Sequence, residues 1–153
     1  MTVMLSKNFA LIEFTKSQTA ERKGIENSPN EASVMAMEEL CHSVLEPIRS
    51  AFAKPINVNS GYRSAALCEA IGSKSTSQHC DGEAADIEIY GVSNYELAKY
   101  IEKKLNFDQL ILECWNKADL NSGWVHVSYV SENENRKDVL TYNRTDGYTK
   151  GIW

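Results

Sequence analysis

Residues 77–90 read SQHCDGEAADIEIY and combine a polar loop with the start of a strand. The second half of this stretch alternates as a strand does, with Ile87 on one face and Asp86 on the other. The strand therefore buries one face in the core and presents a carboxylate on the opposite face. Gly82 permits a turn that folds the preceding polar loop back, so we expect His79 to lie over the start of its own strand.

Two later segments show the same division of faces. The faces that point away from the core carry Gln109, Ile111 and Glu113 on a strand at 107–115, and Trp124, His126 and Ser128 on a strand at 124–130. If Trp115 pairs with Trp124 in a hairpin, Glu113 lies directly opposite His126, with Cβ atoms about 5 Å apart. A slip of one residue would put these two side chains on different faces of the sheet.

Two helices have clear start signals. Ser28-Pro29-Asn30-Glu31 fits a capping box with proline at the first helical position, and apolar residues then recur at helical spacing as far as Ile48. We expect Pro47 to kink or locally disrupt this helix. Ser93 and Glu96 form a second capping box, which predicts a helix running to about Leu105.

The remaining elements are shorter. They are a strand at 56–60, a helix capped by Ser64 and running to Ile71, a loop at 73–82 and a strand at 138–142. Residues 1–27 show no sustained period, so we expect an irregular arm packed on the domain. The pattern predicts an α+β fold in which one domain, residues 1–153, has an antiparallel β-sheet with helices mainly on one face.

Composition narrows the function classes. The 153 residues are 42% hydrophobic and 24% charged, with a net charge of −5, which is typical of a globular domain. A sequence pI of about 5.2 argues against a nucleic-acid partner. No window is apolar enough for a membrane span. The four cysteines form no C-x-x-C pair, so we expect buried, reduced thiols.

The polar residues of the strands suggest a metal site. His79, Asp86 and His126 make up two imidazoles and one carboxylate, a common ligand set for catalytic Zn²⁺ that leaves a fourth position for water. Glu113 is then placed to accept a proton from that water, or it serves as a partner of an imidazole.

These residues also resemble a known family. Ser77-x-His79-x-x-Gly82-x-Ala84-x-Asp86 matches the S-x-H-x-x-G-x-A-x-D signature, and Trp124-x-His126 is similar to the second motif, of the LAS zinc peptidases. That group includes D-Ala-D-Ala carboxypeptidases, phage endolysins and hedgehog domains. Further segments resemble its compact phage- and prophage-associated branch: Leu5 through Glu46-Pro47-Ile48-Arg49, Ser60-Gly61-Tyr62-Arg63-Ser64, 108–113 and 124–129.

The resemblance implies Zn²⁺ held by His79, Asp86 and His126 in a hedgehog- or DD-peptidase-like fold. It also implies that Arg63 contacts a substrate carboxylate or the developing oxyanion; the alternative is that Arg63 only ties down its own turn. Many relatives carry the general-base glutamate three residues before the second histidine, where this chain has Gly123. Glu113 is the substitute that the strand pattern predicts.

Other assignments are more open. Asp119, in the loop before Gly123, is a weaker candidate for the base. Tyr62, Gln78 and Ser128 are candidate substrate-binding residues, or they merely pack the cleft.

The expected function is hydrolysis of an amide bond in the peptide stem or cross-bridge of peptidoglycan, by zinc-activated water with a glutamate base. The enzyme type is a D-Ala-D-Ala carboxypeptidase or an L-Ala-D-Glu endopeptidase. The alternative is a catalytically inactive, zinc-stabilised module that binds cell wall or builds a virion. Gly123, in place of a glutamate, is the feature that favours the alternative.

No export signal is visible at the start of the sequence. We therefore expect a cytoplasmic monomer that reaches the wall through lysis machinery or inside a phage particle.

Overall fold

The helices and strands of this computed structural model are described for residues 3–72 and 77–152. The helices are α1 Leu11–Thr15, α2 Gln18–Lys23, α3 Glu31–Leu40, α4 Glu46–Phe52, α5 Ala65–Ala70 and α6 Asn94–Lys104. The strands are β1 Met4–Ser6, β2 Phe9–Ala10, β3 Asn57–Ser60, β4 Ala84–Glu88, β5 Gln109–Glu113, β6 Trp124–Ser128, β7 Asp138–Asn143 and β8 Gly147–Lys150. None of the described helices is long and apolar enough to cross a membrane.

The main sheet has six strands in the order β3-β4-β6-β5-β7-β8. Its buried face carries Val125 and Val127 of β6, which join one core cluster with Leu97 and Ile101 of α6 and Met37 of α3. The opposite face carries the polar residues of β4, β5 and β6. The α+β prediction is therefore confirmed, with helices packed against the apolar face.

The sheet is mixed rather than purely antiparallel. β5 pairs in parallel with β7, while the other strand pairs in the sheet are antiparallel. β8 follows β7 through a tight turn that ends at Gly147, where φ is +70°. β8 is an additional strand beyond those predicted, although Asp146-Gly147 is a common turn signal.

The prediction of an irregular arm at residues 1–27 is wrong, because this segment contains regular secondary structure. β1 and β2 form a hairpin, and α1 and α2 follow. α2 is defined by its ends, because the Ser17 side chain accepts a hydrogen bond from the Ala20 N–H and Gly24 closes the helix in the left-handed conformation. Helices of five and six residues are too short for an apolar period to reveal them.

The long helix near residue 30 forms, but it starts later than predicted. Asn30, not Ser28, caps α3 by accepting from the Ser33 N–H. A π-helical turn at Cys41–Leu45 separates α3 from α4, and Glu46 N donates to Cys41 O across it. Pro47 lacks an N–H and lies in the first turn of α4, so the predicted disruption at this proline is confirmed.

The shorter predicted elements also form. The Ser64 side chain caps α5 and the Ser93 side chain caps α6. Within the predicted loop at 73–82, residues 73–76 lie outside the described residues, and Gln78–Asp81 form a 3₁₀ helix.

Candidate metal centre and its cleft

Two adjacent strands bring the first two candidate ligands together. β4 and β6 pair antiparallel with Asp86 directly opposite His126, so both side chains lie on the polar face of the sheet. His126 Nδ1 is 3.1 Å from Asp86 Oδ1. The distance follows directly from the strand register.

The third candidate ligand comes from the 3₁₀ helix. The Ser77 side chain caps it by accepting from the His79 N–H, and Gly82 ends it at φ +80°. A Cβ at position 82 would lie 2.5 Å from Ser33 O, so this turn requires glycine. The predicted return of His79 over β4 is confirmed, since His79 Nε2 is 3.3 Å from Asp86 Oδ1.

The three residues fit a zinc site. Their ligand atoms all lie within 4.8 Å of one another, and the residues are only 4%, 8% and 9% exposed. Tetrahedral ligands at about 2.1 Å from zinc are separated by roughly 3.4 Å, close to the two distances above. His79 Nδ1 lies 2.7 Å from Gly61 O, so it donates to that carbonyl and leaves Nε2 as a ligand atom.

Asp86 is held in its ionised form. Burial opposes ionisation, but the adjacent imidazoles of His126 and His79 outweigh it and hold the pKa of Asp86 far below its usual value. A buried carboxylate between two imidazoles is therefore available as an anionic ligand.

Arg63 lies beside this cluster. Its backbone N–H donates to His79 O at 3.0 Å, and its Nη2 is 3.6 Å from Asp86 Oδ2. The residue therefore ties the turn after β3 to the 3₁₀ helix and places a fixed positive charge at the edge of the cluster.

Glu113 faces the same cleft, but the predicted register is wrong. Glu113 pairs with Trp124, and Ile111 pairs with His126. The register differs from the prediction by two residues, which preserves the face. Burial raises the pKa of Glu113, the positive potential of His126 lowers it, and Asp86 raises it further. Within the described ranges its carboxylate accepts no hydrogen bond.

The register differs because β5 ends early. Cys114 has a left-handed φ of +51°, and β5 ends at Glu113. The backbone N–H of Trp115 instead donates to Tyr142 O of β7, and the Trp115 ring stacks on Tyr95 with centroids 5.6 Å apart. Trp115 is therefore not the partner of Trp124.

Gly123 is required by this hairpin. Its φ is +68°, and a Cβ built there would lie 1.8 Å from Glu113 O. A glutamate three residues before His126 therefore cannot be accommodated with this backbone. Glu113 lies on the neighbouring strand, beside the position that glutamate would take.

The cleft around the cluster has a volume of about 460 Å³. Its lining residues are Arg63, Ser77, Gln78, His79, Asp86, Gln109, Ile111, Glu113, Trp124, His126, Arg136 and Tyr148. Of the two candidate bases, Glu113 and Asp119, Glu113 lines the same cleft as the His-Asp-His cluster. Asp119 is outside this set and lies in an exposed turn, where its carboxylate accepts from the Asn121 N–H.

The three predicted substrate residues have different surroundings. Gln78 lines the cleft and donates to Asp108 Oδ2 at 2.9 Å. Tyr62 is buried and lines a neighbouring cleft. Ser128 is fully buried and its hydroxyl accepts from the Gln109 N–H, so it does not reach the metal cleft.

Two lining residues were missed in the sequence. Arg136 makes a bidentate contact to the buried Asp108, with Nη2 2.7 Å from Oδ2. This contact lowers the pKa of Asp108. Tyr148 of β8 packs on Tyr142 with ring centroids 4.7 Å apart. Neither belongs to a motif, and only a predicted β7–β8 hairpin would have brought Tyr148 to the sheet.

A disulfide connects the cluster to α5. Cys68 and Cys80 are bonded, with Cα atoms 7.0 Å apart, so the expectation of four reduced thiols is wrong for this pair. The turn that carries His79 brings Cys80 against α5, a proximity that no sequence spacing reveals. Cys41 and Cys114 are free thiols, and burial raises the pKa of Cys41 to about 12.

Three buried donor atoms this close together, beside a carboxylate with a raised pKa, are characteristic of metal-dependent hydrolases. The family model of peptidase M15 matches residues 7–128, and the chain therefore belongs to the peptidase M15 family of zinc peptidases. The matched region contains the His-Asp-His cluster and Glu113, and it ends before β7. A search of curated proteins finds no match.

Proposed function

We propose that this protein is a zinc peptidase that hydrolyses an amide bond in the peptide stem or cross-bridge of peptidoglycan. The observation that carries the proposal is the buried cluster of His79, Asp86 and His126 in one cleft with Glu113. Membership of the peptidase M15 family supports the reaction class.

Zn²⁺ held by His79, Asp86 and His126 would supply a Lewis acid and would lower the pKa of the attacking water toward neutrality. His79 is oriented for ligation by its hydrogen bond to Gly61 O. Asp86 contributes the negative charge that a divalent cation requires.

Glu113 acts as the general base in this proposal. It accepts a proton from the attacking water and passes it to the leaving amine. Burial raises its pKa, and a base whose pKa lies nearer the working pH returns the proton more readily. Arg63 supplies fixed positive charge where negative charge collects on the scissile carbonyl.

The substrate assignment rests on the resemblance to carboxypeptidase-like and endolysin peptidases. A D-Ala-D-Ala bond and an L-Ala-D-Glu bond are the two proposed targets. Release to the wall by lysis machinery, or carriage in a phage particle, belongs to the same proposal.

The test is digestion of purified peptidoglycan by the zinc-loaded protein, with mass spectrometry of the fragments and metal analysis of each sample. Glu113→Gln should bind zinc normally and lose at least about 100-fold in rate, the usual scale for a missing general base. Glu39→Gln, an exposed position on α3, is the matched control and should retain full activity.

Each outcome is decisive for one part of the proposal. New amine termini released by the wild type identify the scissile bond. Equal cleavage by Glu113→Gln would retain the peptidase and reject Glu113 as the base. Zinc-loaded wild type that binds stem peptides and cleaves none would reject the enzyme and favour an inactive wall-binding or virion module.

A further inference from the structure

A second cleft adjoins the metal cleft. Its volume is about 540 Å³, and its walls come from the chain around α2, from β3 with the turn after it, and from α5. Arg63 lines both clefts. The two clefts therefore meet at Arg63.

The second cleft is rich in cations. Lys16, Arg22 and Arg63 line it, with Glu21 as the one carboxylate among the described lining residues. The whole chain carries a net charge of −5, so this surface differs in sign from the rest of the molecule. Such a local field concentrates anionic ligands.

Two of these cations form no ion pair with the residues that the structure describes. Lys16 and Arg22 are exposed, and no described carboxylate lies within the 4.0 Å of an ion pair from either side chain. Arg22 makes only a long contact of 3.5 Å to the Thr19 hydroxyl. Arg63, by contrast, is paired with Asp86. The charges of Lys16 and Arg22 are thus available to a ligand.

We propose that this cleft is a subsite for an acidic arm of the peptide substrate, with Lys16 and Arg22 binding a carboxylate remote from the scissile bond. The inference rests on the proposed function and narrows its substrate class to acidic peptides. Guanidinium and ammonium groups are the natural partners of a carboxylate. Binding energy from such a remote group orients the reacting bond at the cluster.

The test compares two synthetic stem peptides that differ at one residue away from the scissile bond, where one peptide carries a free carboxylate and the other a carboxamide. The wild type should prefer the carboxylate about tenfold in kcat/KM. The double variant Lys16→Gln/Arg22→Gln should reduce that preference to about onefold. Lys103→Gln/Lys104→Gln, which removes two exposed cations from the end of α6, is the matched control and should keep the tenfold preference.

Binding to zinc-loaded Glu113→Gln protein, measured by calorimetry, separates this inference from the peptidase assignment. The subsite is supported, even if no peptide is cleaved, by a Kd about tenfold lower for the carboxylate peptide than for the carboxamide peptide. This difference should disappear when Lys16→Gln/Arg22→Gln is added to the Glu113→Gln protein. Equal Kd values for carboxylate and carboxamide would overturn the subsite even if both peptides are cleaved. The proposed subsite would also be overturned if the Lys16→Gln/Arg22→Gln substitutions weakened the binding of both peptides by the same factor.

Discussion

Gly123→Ala is the substitution whose cost can be worked most directly from the structure. The glycine has φ +68°, and a Cβ there would lie 1.8 Å from Glu113 O. Carbon–oxygen contacts in proteins are about 3.3 Å or longer, so the backbone must move by about 1.5 Å. That movement occurs where Glu113 pairs with Trp124 at the end of the β5–β6 ladder.

Two kinds of free-energy cost add at this position. A residue with a Cβ in the left-handed conformation loses about 1–2 kcal/mol. The displacement also weakens the ladder end and the 2.9 Å hydrogen bond that Asn94 Nδ2 donates to Gly123 O, at about 1 kcal/mol for each hydrogen bond lost. We expect Gly123→Ala to reduce the free energy of unfolding by roughly 3–4 kcal/mol.

The assay is urea denaturation at fixed zinc concentration, with Gly147→Ala as the matched control. Gly147 has nearly the same φ, +70°, but a Cβ there meets nothing within 4 Å. Gly147→Ala should therefore cost only the conformational part, about 1–2 kcal/mol. The difference of about 2 kcal/mol corresponds to a gap of roughly 4–8 °C between the two melting temperatures.

The reasoning is refuted if the two variants lose the same stability. It is also refuted if Gly123→Glu folds as well as the wild type, because that result would show that the hairpin accepts a side chain at position 123.

Three further predictions concern the cleft and its supports. Burial raises the pKa of Glu113 in the folded protein, so ionisation of its carboxyl destabilises the fold as the pH rises above about 4.3. Glu113→Gln should therefore increase the free energy of unfolding of the zinc-free protein, measured by urea denaturation at pH 7. Removing the disulfide with Cys68→Ser/Cys80→Ser should cost about 3 kcal/mol of unfolding free energy by the loop-closure relation, and a reductant should destabilise the wild type but not this variant. Arg136 lowers the pKa of Asp108 in the folded protein. The Asp108 carboxylate therefore stabilises the fold above about pH 3.9, and this stabilisation is lost as the pH falls through the lower folded pKa. Asp108→Asn should reduce the free energy of unfolding by about 2 kcal/mol at pH 7 and should weaken the dependence of that free energy on pH in acid.

Much of the site was predictable from the sequence because strand geometry has a strict period of two. Asp86 and His126 had to share a face with Glu113 once the buried faces of their strands were identified. An error of two residues in the hairpin register left that conclusion intact. The spacing from His79 to Asp86 similarly reflects one glycine turn at Gly82.

The register itself was not predictable, because it depends on backbone conformations at single residues. The left-handed φ of Cys114 ends β5, and no propensity marks a cysteine for that conformation. The contact between Gly123 and Glu113 O, likewise, exists only once the hairpin is closed.

Elements defined by tertiary contacts also escaped the sequence analysis. Cys68 and Cys80 are brought together by the packing of the 3₁₀ helix on α5. The α2 helix, with its exposed Arg22, is recognisable only by its two caps. The second cleft beside Arg63 was therefore invisible until the chain around α2 was in place.

The proposed site holds one metal ion through two of the three histidines and one aspartate. Zinc bound per chain, measured by metal analysis after equilibration with excess zinc and gel filtration, tests it most directly. We predict one equivalent for the wild type and for His42→Ala, whose histidine is exposed and outside the cluster, and a loss of stable binding in His79→Ala and His126→Ala. Retention of one equivalent by both cluster variants would contradict the account.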